Sequence, residues 1–175
     1  MRLFVDEDTG AGVARALKEL GVDVRHIGGG GAPRRGTPDE RWIPIAGREG
    51  RLVLSRNLRI LITDAEVDTL VRENVGIVFL PQHLDRLSLM QLLLRYWAKI
   101  EALYEGAQRP FAYFMGTGGR LSKLPLSGDS AGLRRRLVRF RGGMLLPPGH
   151  PRARRARVAH VQGRAVEQRL PFMPP

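Results

Sequence analysis

The 175-residue chain has no cysteine, which excludes disulfides and thiolate-held metal sites. It also lacks an apolar run long enough to form a membrane-spanning helix. Its N-terminal apolar run is short and is broken at once by acids, so it is not expected to be a signal peptide. A soluble, cytoplasmic protein is the default expectation. Lysine is scarce and the basic residues are mostly arginine. A GC-rich coding sequence alone produces that bias, so arginine richness is by itself a weak sign of binding. Acid is nearly missing from the last third. Residues 120–175 carry thirteen Lys and Arg against two Asp and Glu, whereas residues 1–119 carry sixteen against fifteen. The net charge of +12 has the size of a nucleic-acid footprint, but it sits almost wholly in the C-terminal segment. Pro, Gly and Arg dominate that segment and its periodicity is poor. The division expected is a domain at 1–119 and an Arg/Pro/Gly-rich basic tail at 120–175, partly extended or disordered.

The domain opens with Leu3-Phe4-Val5-Asp6-Glu7-Asp8, three apolar residues running into three carboxylates. The apolar run reads as a buried strand, of the kind found in parallel sheets. The acids then fall at its carboxyl end, where open α/β sheets place their ligand crevice. Adjacent carboxylates disfavour one another's ionisation unless they face water or share a cation. A hard cation such as Mg2+ takes carboxylate oxygens, keeps several waters, and can activate one of them.

Further along, Val13, Ala16, Leu17 and Leu20 recur at helical spacing, and Gly21 suits a stop. Residues 22–27 read as a short strand, with Val22, Val24 and His26 on one face. A glycine-rich loop, residues 28–36, follows and lacks the spacing of a phosphate-binding P-loop. It is expected to be a mobile rim. Thr37-Pro38-Asp39-Glu40 has the form of a helix start. Thr37 is the candidate N-cap and Glu40 its capping-box partner, which leaves Asp39 free for another role. Pro44 is expected to kink that helix or delay its start. Residues 51–54 and 76–80 read as strands on either side of a short helix at 64–72. Residues 87–104 read as one long helix, with Met90, Leu93, Leu94, Trp97, Ile100 and Tyr104 as its core stripe. Residues 110–115 form a fifth strand. This alternation predicts an α/β fold with a mostly parallel five-stranded sheet, helices on both faces and right-handed crossovers.

Several motif matches fail on context. Gly128-Asp129-Ser130-Ala131-Gly132 fits G-x-S-x-G, but no large sheet precedes it. Asp6-Glu7-Asp8 has the Asp-x-Asp start of haloacid dehalogenase-type phosphatases, but Gly10 stands where that motif has Thr or Val. A response-regulator receiver needs an Asp and a Lys where Ser55 and Met115 stand. One constellation agrees in spacing and context: Asp6/Glu7 after the first strand, Asp39/Glu40 at the start of the second helix, and Ser55-Arg56-Asn57 after the third strand. In a parallel sheet these ends share one edge.

Val5-Asp6-Glu7, Gly36-Thr37-Pro38-Asp39-Glu40-x-Trp42, Leu54-Ser55-Arg56-Asn57, residues 75–81 and the Trp97-containing helix together resemble the PIN-like domains of VapC-type toxins. The resemblance covers roughly residues 1–115. It implies a compact three-layer α/β/α sandwich and an acidic centre binding Mg2+ or Mn2+. The implied activity is a metal-dependent endoribonuclease acting on RNA and silenced by a cognate antitoxin. Apart from the resemblance, a homodimer is one assembly the expectation leaves open. Asp6 and Asp39 become the implied metal ligands, with Glu7 and Glu40 in support. Asn57 stands where the family normally has Asp, and Arg59 where another Asp often follows. Asn57 is kept in the metal and catalytic set with Asp6, Glu7 and Asp39, while Arg56 and Arg59 would face substrate phosphates. The alternative is a catalytically weak or inactive PIN-like module that binds nucleic acid or an antitoxin.

Overall fold

The computed structural model describes residues 1–126. The elements along them are β1 (Arg2–Val5), α1 (Ala11–Glu19), β2 (Asp23–His26), α2 (Asp39–Arg48), β3 (Leu52–Ser55), a 3-10 helix η1 (Leu58–Ile62), α3 (Asp64–Arg72), β4 (Gly76–Phe79), α4 (Arg86–Arg95), α5 (Trp97–Gly106), β5 (Phe111–Met115) and β6 (Leu121–Leu124). The strands form one sheet in the order β2-β1-β3-β4-β5-β6. All neighbours are parallel except β6, which runs antiparallel to β5. No helix among the described residues is long and apolar enough to cross a membrane.

All four residues of β3 and all four of β4 are buried. Strands covered by helices on both faces have to be apolar on both, which is why these runs do not alternate. Leu3, Val5 and Leu54 pack against α1, α4 and α5, while Phe4, Val53 and Phe79 pack against α2, η1 and α3. The expected α/β/α layering is therefore present. Helix α1 buries Val13, Ala14 and Leu17, one stripe at 3.6-residue spacing. It stops at Gly21, whose φ of 82° is the left-handed conformation that glycine adopts without strain. Helix α2 buries Trp42, Ile43 and Ala46, and the Trp42 ring stacks on Phe4 with centroids 5.1 Å apart. At Gly47 an added Cβ would lie 2.4 Å from the Glu73 carbonyl oxygen. Its lack of a side chain thus lets α2 lie close against the end of α3.

Four expectations change. The sheet has six strands, not five: β6, at residues 121–124, pairs with β5 beyond Gly119. Its Leu-Ser-Lys-Leu sequence has little strand signal of its own, and the cross-strand ladder to β5 supplies what the sequence lacks. The helix at 87–104 is two helices, because Tyr96, at φ −115° and ψ 23°, interrupts it. The break divides the apolar stripe, so Leu93 and Ile100 are buried while Leu94 is 51% exposed. Helix α2 begins at Asp39 with Pro38 before it, and Pro44 lies inside it. The Thr37 hydroxyl donates to the Arg34 carbonyl at 2.6 Å instead of capping, so Glu40 has no capping-box partner. Finally, the β3–β4 and β4–β5 connections step the same way across the sheet, yet their helices lie on opposite faces. These two crossovers therefore have opposite hands. The right-hand rule rests on how a crossover helix packs back onto twisted strands, and the β4–β5 link uses two helices broken at Tyr96. The G-x-S-x-G match and residues 127–175 of the basic segment lie outside the described residues.

Ion pairs gather at the amino ends of the strands. Arg51, 6% exposed, pairs with Asp23 and Glu49 and donates to the Leu3 carbonyl, and Arg25 also pairs with Glu49. The carboxyl ends are built differently.

Candidate acidic centre

Asp6 follows β1 directly, and its N–H donates to the Leu54 carbonyl, continuing the ladder to β3. That register places Asp6 beside Ser55, on the face of the sheet covered by α2 and α3. Asp6 is only 4% exposed. Its Oδ2 accepts from the Ser55 hydroxyl at 2.6 Å and its Oδ1 from the Glu7 N–H at 2.5 Å. Burial pushes its pKa up to about 6; the Ser55 bond opposes this, and the charges of Asp39 and Asp8 add to it. The carboxylate is thus held in place by donors while its charge is disfavoured.

Asp39 opens α2. Its Oδ1 accepts from the Trp42 indole N–H at 2.8 Å, one helical turn away. Its Oδ2 faces the Asn57 amide nitrogen at 3.4 Å. Burial raises its pKa, the Trp42 bond counters that, and Glu40 and Asp8 raise it further. Asn57 sits just past β3. Its own N–H donates to Ser55 Oγ at 2.9 Å and its Oδ1 accepts from the Arg59 N–H at 3.1 Å, capping η1. Ser55 and Asn57 therefore tie Asp6 and Asp39 into one connected hydrogen-bond chain.

The other anticipated residues have different surroundings. Glu7 turns away to the glycine-rich loop, where its carboxylate accepts from Arg35 Nε at 3.0 Å and the Gly36 N–H at 2.8 Å. Those two donors lower its pKa and pin the loop to the end of β1. Glu40 is exposed and contributes to the centre through its charge. The Arg56 guanidinium donates to the Gln82 and Leu84 carbonyls, and the Gln82 amide returns a bond to the Arg56 carbonyl. This arginine clamps the β4–α4 loop to the end of β3. Arg59 is exposed on η1.

Reasoning from spacing missed Glu66, in the first turn of α3. Burial pushes its pKa up to about 7, with Asp39 and Glu40 adding to the shift and Thr63 and Arg59 offsetting part of it. Its Oε2 is buried without a hydrogen-bond partner. In sequence, Thr63-Asp64-Ala65-Glu66 has the form of a capping box, which hides any other role. In the structure the Thr63 hydroxyl donates back to the Arg59 carbonyl, and α3 has no side-chain cap.

The centre therefore lies at the carboxyl ends of β1 and β3, beside the point where the chain order reverses, near the first turns of α2 and α3. Among the described residues, Asp6, Asp39 and Glu66 enter no ion pair; the arginines pair with Glu7, Asp23, Glu49 and Glu73. Every donor here is oxygen, as a hard cation requires. Among the described residues no group of three or more His, Asp or Glu is placed to hold a metal ion. Mg2+ is commonly held by one or two carboxylates while it keeps its waters. Each oxygen of Asp6 and Asp39 takes one hydrogen bond and retains acceptor capacity. This pair therefore fits a water-rich cation and does not form an all-protein cage.

A three-layer α/β/α fold with an acidic centre at this edge is consistent with a PIN-like fold. In agreement, the family model described as "PIN like domain" matches residues 1–82. That span holds β1 to β4, α1 to α3 and every residue of the acidic centre. Comparison with curated proteins and with solved structures gives no match.

Proposed function

We propose that this protein is a metal-dependent endoribonuclease of the toxin type, with Mg2+ or Mn2+ as its cofactor. The observation that carries the reading is the unpaired acidic centre. An arginine-rich chain keeps Asp6, Asp39 and Glu66 out of every ion pair among the described residues, at a cost visible in their raised pKa values. Uncompensated carboxylates are where a divalent cation is most stabilising. Asp6 and Asp39 would hold it. Bound there, it supplies Lewis-acid polarisation of a phosphoryl oxygen and a more acidic water.

The remaining work falls to the chain itself. Ser55 and the Glu7 N–H hold the Asp6 carboxylate in one orientation, and Trp42 and Asn57 do the same for Asp39. Arg59, exposed on η1, is suited to a substrate phosphate. Arg56 acts by holding the adjacent loop. The basic segment after residue 119 adds sequence-independent attraction for RNA. The toxin role and the cognate antitoxin rest on the likeness of the motifs to VapC-type toxins.

A second reading, a binding module without catalysis, is favoured by Asn57. Its amide faces Asp39 where a ligand carboxylate would add a full negative charge. At an effective dielectric of about 20, a charge pair at ~4 Å is worth ~4 kcal/mol before desolvation reduces it. The deciding experiment is cleavage of a generic single-stranded RNA against Mg2+ and Mn2+ concentration. Wild type is expected to cleave, Asn57→Asp to cleave at lower metal, and Asp6→Asn to be inactive in either background. Metal-independent binding with no cleavage, even by Asn57→Asp, selects the binding module. Cleavage that survives Asp6→Asn removes the acidic centre from the mechanism.

A further inference from the structure

We propose that Arg86, lying across Gly12, binds a non-scissile backbone phosphate of the RNA strand. The inference rests on the nuclease reading above and deepens it, adding a substrate contact on the helical layer opposite Asp39 and Arg59.

Arg86 opens α4, and Gly12 lies in the first turn of α1. Both helices cover the same face of the sheet and pack together. Both also start at the edge that carries the acidic centre. The Asp6 carbonyl accepts from the Thr9 and Gly10 N–H groups, which leads the chain from the site straight into α1. Arg56, next to Ser55, donates to the Gln82 and Leu84 carbonyls and so fixes the approach to α4. Hydrogen bonds therefore tie the site to the starts of both helices.

At Gly12 an added Cβ would lie 2.7 Å from Arg86 Nε and 2.8 Å from its Cζ. The guanidinium thus rests on the bare backbone of α1, in a seat that a side chain at residue 12 would fill. Among the described residues that guanidinium enters no ion pair or hydrogen bond. The neighbouring Asp85 spends both carboxylate oxygens on Ser88, and the first turn of α1 holds no acid. Arg86 is nevertheless exposed. An exposed guanidinium seated without a counter-ion suits phosphate, which it meets with a fork of donors. Arg59 lies on η1, in the other layer. An RNA strand crossing the edge over Asp6 meets Arg59 on one side and Arg86 on the other.

The test uses the full chain. Binding of a fluorescein-labelled oligouridylate is measured against salt in the Asp6→Asn background, and cleavage of the same RNA with Asp6 present. For a single strand, one phosphate contact contributes a salt slope of about 0.7, which at about 0.1 M salt is about fivefold in affinity. Arg86→Gln is expected to show both losses, and to raise KM with little change in kcat. Arg48→Gln removes the same charge from the last turn of α2, at the other edge of the sheet, and is expected to behave as wild type. Gly12→Ala supplies the independent variant. Alanine suits a helix better than glycine, and only the tip of a flexible side chain stands in its way. It is expected to melt no lower than wild type and, by unseating Arg86, to weaken RNA binding. A merely structural contact cannot give weaker binding in a protein that keeps its melting temperature. Unchanged affinity and KM in Arg86→Gln and Gly12→Ala, while Asp6→Asn abolishes cleavage, overturns the role of Arg86 and leaves the nuclease reading standing. Weaker binding by Arg86→Gln where wild type cleaves nothing upholds the phosphate contact and overturns the nuclease reading.

Discussion

Replacing Asp6 by Asn should stabilise the metal-free protein at pH 8 and destabilise it near pH 4. Asp6 is 4% exposed, so solvent screening does little to reduce its electrostatic cost. Its pKa is raised from 3.8 to about 6, meaning that the folded state holds this proton more tightly than the unfolded chain. Below about pH 3.8 both states are protonated and the group is neutral in its effect. As pH rises towards 6 the unfolded chain ionises first and stability falls. Above about 6 the full penalty is present. Roughly two pKa units correspond to about 3 kcal/mol. Asn carries no charge and escapes that penalty. It has one carbonyl oxygen, however, whereas the Asp6 carboxylate accepts from both Ser55 and the Glu7 N–H. Losing one of these bonds costs about 1 kcal/mol. The net expectation is a variant about 2 kcal/mol more stable than wild type at pH 8 and about 0.5 kcal/mol less stable near pH 4. The assay is urea unfolding of both proteins across that pH range in the presence of a chelator. A stability difference that does not change with pH would refute the reasoning, because the ionised Asp6 would then carry no folding penalty.

Three further outcomes follow from the same geometry. Ser55→Ala removes a donor to a buried carboxylate and the acceptor for the Asn57 N–H. It should cost about 2 kcal/mol at pH 8 and less near pH 4, where Asp6 is neutral; urea unfolding at the two pH values checks this. Trp42→Phe keeps the ring over Phe4 but deletes the indole donor to Asp39 Oδ1. The Asp39 pKa should then rise further, as read by NMR titration of its carboxyl carbon. Changing Arg134, Arg135 and Arg136 to Gln should flatten the log–log salt dependence of single-stranded RNA binding by a slope of about 2. An unchanged slope would show that these arginines make no phosphate contact.

Much of the fold is written in local pattern. The apolar runs at 3–5, 52–54 and 76–80 are short, apolar on both faces and separated by helical stripes. Burial of such runs is satisfied by a parallel sheet between two helical layers, so the layering was legible without coordinates. So was the edge on which Asp6, Asp39 and Asn57 meet, because parallel strands send their carboxyl ends the same way. Strand β6 was not legible: Leu121-Ser-Lys-Leu124 becomes a strand through its ladder with β5. The break at Tyr96 also lies beyond local pattern, since an unbroken helical stripe runs across it. At the site itself, the sequence names which acids are near strand and helix ends but says nothing of where each carboxylate turns. Tertiary contacts sent Glu7 to Arg35 and Gly36, spent Arg56 on the Gln82 and Leu84 carbonyls, and left Glu66 without its cap. Hydrogen-bond partners come from residues distant in sequence. The sequence alone therefore determined the parallel strands of the sheet and the address of the acidic centre, and only the packed structure added β6 and decided which of the carboxylates remain unpaired.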